Sequence, residues 1–227
     1  MEKALALETC SPEAVGALPR GLSAVVAGSE FCANLLPSPA EAAALRRAFK
    51  GRITLATGLL TEAALGRVKK LLPVLSRGGG LEVIANDLGL LETLRRRRGI
   101  KVSCGRILAH RVKIMPEDYA RGFLARYRIS GFEVDDAAVI GRLEPYGLPL
   151  SWHYPFRYAT VTRFCPWENR WAEGCGRSCL GRARRFVSPR VPKPLWLRGC
   201  AYFVKGQGPR GAAARNVFTP PAAKNEI

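Results

Sequence analysis

Through the first 155 residues, strand-like and helix-like segments alternate, and that alternation limits the fold more than any other feature. The apolar run Ala4–Glu8 is followed by the β-branched segment Leu22–Ala27, then by Arg52–Thr57, Leu81–Ala85, Ile100–Ser103, Ile129–Val134 and Leu148–His153. Helical patterns lie between them. Ser38-Pro39-Ala40-Glu41 reads as a capping box with Pro at the first helical position, opening a helix to about Phe49. Thr61 caps Glu62–Leu75, which Gly78-Gly79-Gly80 ends. Asp87–Arg98, Pro116–Arg126 and Asp136–Glu144 complete the set. Strands separated by helices at this spacing predict βα units around a parallel sheet. No Gly-x-Gly-x-x-Gly follows the first strand, so a dinucleotide-binding sheet has no support. With about seven strands in a chain of 227 residues, the expected fold is α/β, a compact or incomplete (β/α) TIM-barrel-like fold with an irregular Cys-rich C-terminal segment.

The character changes near residue 160. From Thr160 to Arg215 there are twelve Lys or Arg and two acids, with frequent Pro and Gly. One more strand is expected over Leu195–Val204, and residues 206–227, rich in Gly, Pro and Ala, read as a flexible tail beyond a domain of residues 1–205. The formal charge of +18 suits RNA, an acidic partner protein or an anionic small molecule, and equally a genome that favours Arg codons. No run of eighteen apolar residues predicts a membrane span. The N-terminus has no signal-peptide pattern, so a cytoplasmic location is expected.

Seven cysteines in a chain expected to be cytoplasmic point to metal or redox chemistry rather than disulfides. Cys165, Cys175 and Cys179 form Cys-x9-Cys-x3-Cys within the segment 160–182. Gly174 and Gly176 flank Cys175, and Arg163, Arg170, Arg177 and Arg182 surround the group, a setting that favours thiolates. Iron–sulfur clusters usually take four cysteine thiolates. Zinc is the alternative, although it favours paired Cys-x2-4-Cys knuckles and only one such pair is present. The fourth ligand is open among Cys10, Cys32, Cys104 and Cys200. Cys32 stands just beyond the second strand, on the face where barrel sites assemble. Cys200, inside the expected last strand, reads as a core thiol, as do Cys10 and Cys104.

Three stretches, Ala27-Gly28-Ser29-Glu30-Phe31-Cys32, Leu81–Leu91 with its Asn86-Asp87-Leu88-Gly89 turn, and Leu148–Cys179 ending in Cys175-x3-Cys179, carry a resemblance. Over roughly residues 20–182 the sequence resembles the peptidase U32 family, most closely its UbiV-type iron–sulfur proteins of oxygen-independent ubiquinone biosynthesis. The resemblance implies a [4Fe-4S] cluster on Cys32, Cys165, Cys175 and Cys179, a role in anaerobic hydroxylation, and a heterodimer with a second U32-type protein. Other family members resemble RNA hydroxylation factors. A cluster-stabilised, non-catalytic scaffold is a further reading.

No catalytic residue is assigned from the sequence. Glu30, Asn86, Asp87, Arg106 and Glu133 fall near strand ends and are candidates for a pocket, with local roles as the alternative, such as Asp87 as a helix N-cap. Trp152, Tyr154, Phe156, Tyr158 and Trp167 interleave with Arg157, Arg163 and Arg170, a pattern that suits stacking on unpaired bases or simple packing. Peptidase activity has no support: the two histidines, His110 and His153, belong to no His-Glu-x-x-His, and no Gly-x-Ser-x-Gly is present.

Overall fold

The structure is a computed structural model that describes residues 2–78, 80–171 and 174–226. The middle glycine of the helix-ending triplet, Gly79, lies outside the described residues. The chain runs β1 (Glu2–Ala6), α1 (Pro12–Gly16), β2 (Ala24–Gly28), α2 (Pro39–Ala48), β3 (Arg52–Ala56), α3 (Glu62–Leu75), β4 (Leu81–Ala85), α4 (Leu88–Arg95), β5 (Lys101–Cys104), α5 (Arg106–Val112), α6 (Glu117–Arg126), β6 (Ile129–Val134), α7 (Ala137–Leu143) and β7 (Leu150–Tyr154). There follow β8 (Phe156–Val161), β9 (Phe164–Cys165), β10 (Arg170–Trp171), β11 (Arg182–Phe186), β12 (Leu195–Arg198), β13 (Ala201–Lys205), β14 (Arg215–Phe218) and β15 (Lys224–Glu226). The capping signals act as expected. Ser38 and Glu41 form the complete box on α2, and Thr61 caps α3.

Eight parallel strands close a barrel in the order β1-β14-β7-β6-β5-β4-β3-β2. The expected compact or incomplete (β/α) barrel is thus a compact one, fully closed, and the reading of residues 206–227 as a flexible tail is corrected. That segment supplies β14, which pairs with β1 (Glu2↔Arg215) and β7 (Arg215↔Ser151). The physical reason is the alternation in Arg215-Asn216-Val217-Phe218. Arg215 and Val217 point into the barrel, where a buried partner charge and an apolar layer await them.

Side chains of each barrel strand alternate between two environments. Ile53, Leu55, Val83, Val102, Phe132 and Trp152 face the helices and join one continuous core with Leu45, Leu72 and Leu91. The inward side differs. Around β1 to β4 and β14 it carries Ala4, Ala24, Val26, Ala56, Ile84 and Val217. Around β5 to β7 it carries Ser103, Glu133, Ser151 and His153, all buried.

Residues 155–214 leave the barrel between β7 and β14. They build the β9–β10 hairpin and, joined by β15 from beyond β14, a second sheet in the order β15-β11-β12-β13-β8. The strand expected over Leu195–Val204 is in fact a hairpin, β12 and β13, with Arg198 paired to Ala201 and Gly199-Cys200 as its two-residue turn. Gly199 has φ +55°, the sign a two-residue hairpin turn needs at its first position. Among the described residues no helix is long and apolar enough to cross a membrane.

Candidate functional site: a barrel mouth beside five cysteines

Charged groups run through the polar half of the barrel interior. Arg215 donates from Nη1 to Glu82 at 2.6 Å, from Nη2 to Glu133 at 2.9 Å and from Nε to Ser151 at 3.1 Å. Its attraction to Glu133 and Glu82 raises its pKa despite burial. Glu133 also accepts from Ser103 Oγ at 2.6 Å and meets His153 Nε2 at 2.7 Å. Burial, followed by the nearby Arg106 charge, holds His153 well below the usual imidazole range. The ring is therefore neutral near pH 7, and facing the carboxylate that accepts from Arg215 its proton belongs on Nε2.

Nearer the C-terminal mouth, Glu30 accepts from Arg106 twice, from the backbone N at 2.6 Å and from Nε at 2.8 Å, and from Asn86 Nδ2 at 3.2 Å. Arg106 Nη1 reaches Asp135 at 3.0 Å, and the guanidinium lies over the Phe31 ring, 4.7 Å from its centroid. Asn86 also donates to Thr57 O and accepts from Leu108 N. A Cβ on Gly105 would stand 2.2 Å from Asn86 Nδ2, so only glycine leaves room for this contact.

Of the five residues expected to line a pocket, four (Glu30, Asn86, Arg106 and Glu133) meet in this mouth network. Asp87 does not. It caps α4 through Leu90 N at 3.0 Å and takes Leu60 N at 3.2 Å. Sequence reasoning missed His153, Asp135 and Arg215. The usable signal was the period of two that puts Ser151 and His153, or Glu133 and Asp135, on one side of the chain.

A cavity of about 120 Å³ opens at the mouth. Ala6, Val26, Gly28 and Ala56 form one wall, whose small side chains leave the space. Glu30, Arg106 and His153 face it, and Phe156, Phe203, Arg182, Arg198 and Cys179 close the top. Two buried nitrogens of lining residues have no hydrogen-bond partner, His153 Nδ1 and Arg198 Nη1. The other arm of Arg198 pairs with Glu8.

Beside this cavity the cysteines gather. Cys32, on the loop after β2, packs with Cys165 and Cys200 in a buried cluster walled by Leu35 and Trp167. Cys200 is therefore not a thiol of the barrel core, as its apolar surroundings in sequence suggest. The hairpin turn carries it to Cys32, with Sγ to Sγ at 3.7 Å. Trp167 Nε1 donates to Gly199 O at 2.8 Å and Thr162 N to Cys200 O at 2.9 Å, which fixes the turn. A hydrogen bond with Cys200 draws the Cys32 thiol down to about 7. Burial pushes Cys179 up to about 12, and the charges of Cys32, Cys175 and Cys165 add to it. Burial likewise lifts Cys175 to about 11, where its Sγ donates to Glu168 at 3.4 Å. Glu168 ties the same loop through Gly176 N and Ser178 N. Cys10 and Cys104 stay in the outer core, as expected.

The four cysteines singled out by sequence thus share one neighbourhood, with Cys200 as a fifth. Among the described residues no three metal-binding side chains already stand at coordination distance of one point. The donor set itself suits a soft metal centre: thiols, an apolar wall, and the Arg67 guanidinium lowering the Cys32 thiol. Several of the aromatics between residues 152 and 167 make packing contacts. Trp152 is buried, Tyr158 stacks on Phe31 with centroids 4.9 Å apart, and Trp167 lies under Arg182 and Arg184.

No family model and no curated protein matches this chain. Among solved structures it is similar to one described as "The Structure of the U32 Peptidase Mk0906", with a TM-score of 0.56 and 13% identity over 96% of this chain and 92% of that one. At that identity the likeness concerns the architecture, and on it the chain has an α/β barrel fold of the kind seen in a U32 peptidase.

Proposed function

We propose that this chain is an iron–sulfur protein of the U32 type, in which Cys32, Cys165, Cys175 and Cys179 hold a [4Fe-4S] cluster next to a small-molecule pocket in the barrel mouth. The observation that carries this reading is the convergence of one early and several late cysteines on the rim of a cavity that Cys179 itself lines. A cluster bound there would supply one-electron transfer within reach of the pocket. The chain's own residues do the rest. Arg198, with one buried nitrogen unpaired, and Arg182 make the top of the cavity attractive to an anion. Phe31, Phe156 and Phe203 exclude water from it. Glu30 and Asp135 hold Arg106 in one orientation, and Glu133 holds the neutral His153. We assign the pocket to an anionic substrate of an oxygen-independent hydroxylation, akin to a step of ubiquinone biosynthesis, with a second U32-type subunit as partner.

Peptide hydrolysis fits less well, because His153 is bonded to a carboxylate rather than to a hydroxyl or thiol nucleophile. A second reading, RNA modification, is favoured by the exposed Arg185, Phe186 and Val187 at the end of β11 together with the +18 charge.

Anaerobic purification with iron and sulfide quantification tests the proposal. The expected result is about four irons per chain with broad visible absorbance. Cys32→Ser, Cys165→Ser, Cys175→Ser and Cys179→Ser should each lose it, and Cys200→Ser should keep it. Full iron retention in Cys32→Ser overturns the ligand set. One zinc and no colour replaces the cluster by a structural site.

A further inference from the structure

Cys200 has no place in that ligand set, yet its thiol touches Cys32. The 3.7 Å between the two sulfurs is informative. Thiolates on one tetrahedral metal, at about 2.3 Å from it, stand about 3.8 Å apart. Thiolates on different irons of a cubane stand farther apart than that. Cys32 and Cys200 therefore stand too close to serve two different irons of a cubane, and because each of its irons takes one protein thiolate, one of the pair is left over when the other is a ligand. A disulfide needs about 2.05 Å between sulfurs. Both backbones are pinned, Cys32 N donating to Ser29 Oγ at 3.2 Å and Cys200 O accepting from Thr162 N at 2.9 Å. The remaining closure falls to rotation of two short side chains.

Access is the second requirement. The two residues are only 5% and 3% exposed. A second cavity, of about 210 Å³, reaches both of them. Phe31, Leu59, Val161 and Trp171 wall it, and among the described residues Arg163 is the one cation that lines it. Its position differs from that of the barrel-mouth cavity, which touches Cys179 instead.

We propose that Cys32 and Cys200 form a thiol–disulfide exchange site, entered through this apolar cavity by small anionic disulfides and closed to a Cys32–Cys200 bond whenever no metal holds Cys32. One thiolate attacks a sulfur of the external disulfide and releases one thiol. The second thiolate then displaces the other half, forming the internal bond and a second free thiol. The pair loses two electrons, the external disulfide gains two, and the two cysteine protons end on the released thiols. Such bonds in a reducing compartment are transient and redox-sensing. Here the bond withdraws a ligand from the site, so oxidation and metal loading exclude each other. This last clause rests on the cluster reading; the exchange itself does not.

The experiment uses the full chain stripped of metal by a chelator under anaerobic conditions. Glutathione disulfide is added, free thiols are blocked with N-ethylmaleimide, and peptides are mapped without reduction. The expected product is one linked peptide pair joining Cys32 to Cys200, absent after dithiothreitol and absent in Cys200→Ser, where Cys32 carries the glutathione adduct. Alkylation of both Cys32 and Cys200 after full exposure overturns the proposal, as does exclusive linkage of Cys175 to Cys179. A parallel sample loaded with iron and sulfide should give no linked pair until its colour is lost. A linked pair in a protein that never takes up iron supports the exchange site and removes the cluster reading. A loaded, coloured protein whose stripped form gives no linked pair does the reverse.

Discussion

The Glu133 carboxylate bonds His153 Nε2 at 2.7 Å through one oxygen and Arg215 Nη2 at 2.9 Å through the other, joining the polar interior of β6 to β7 and β14. All three side chains are nearly inaccessible to water. Glu133→Gln removes the charge and keeps the shape, so that Arg215 keeps its ion pair with Glu82 but loses the one with Glu133. The expected loss is about 3 kcal/mol of unfolding free energy, at the lower end for removing one partner of a buried pair. Urea denaturation measures it. A loss under about 1 kcal/mol would mean that the pair is worth no more than a surface one.

His153 gives the fold a dependence on pH. Its folded pKa lies well below the ordinary 6.5, first through burial and then through Arg106. Below about pH 6.5 the unfolded imidazole takes a proton that the folded one does not. Stability is full above that pH and falls on acidification, by up to about 1.4 kcal/mol per unit. His110, also depressed by burial, acts in the same direction. Comparison with His153→Gln isolates the first contribution. Between about pH 6 and pH 5 the variant's stability should fall less steeply, by up to one proton's worth. Equal slopes in the two proteins would sink this account.

Gly105→Ala places a methyl group 2.2 Å from Asn86 Nδ2. Asn86 then leaves Glu30, Thr57 and Leu108 together, and buried donors and acceptors go unpaired. The cost should be about 1–3 kcal/mol. The melting temperature reports it, and Asp87→Ala provides a contrast. That change removes the α4 cap and the bond from Leu60 N but leaves the mouth network intact, should cost about 1–2 kcal/mol, and should leave iron content unchanged.

Deleting residues 211–227 removes β14 and β15. A dispensable tail would leave the unfolding transition untouched. Loss of the strand between β1 and β7 should instead abolish the cooperative transition seen by circular dichroism, because Glu82 and Glu133 also lose Arg215.

Much of the barrel is legible along the chain because local signals and burial agree there. The Ser38–Glu41 box, the Thr61 cap and the alternation of Arg52-Ile53-Thr54-Leu55-Ala56 each point to the element that forms. The eighth strand is hidden because it lies far from β7 in sequence and its Gly- and Ala-rich approach, residues 206–214, carries no strand pattern. Cys200 misleads for a similar reason. Gly199 at the centre of an apolar run marks a two-residue turn, and reading through it as one strand buries the thiol in the wrong place. The barrel-mouth residues Glu30, Asn86 and Arg106 are legible because polar groups at strand ends face the mouth. His153 is not, since its role depends on Glu133 from β6 and Arg106 from α5, both distant in sequence.

The pairing of Glu2 with Arg215 also bears on how the molecule comes together. Contacts between segments this far apart in sequence carry a large loop-closure cost and slow folding. The ring of strands therefore cannot shut until β14 has been made, by which time residues 155–214, with their four cysteines, have already emerged. A nascent chain halted between β7 and β14 presents open strand edges at β1 and β7, the kind of surface that chaperones bind and aggregates grow from.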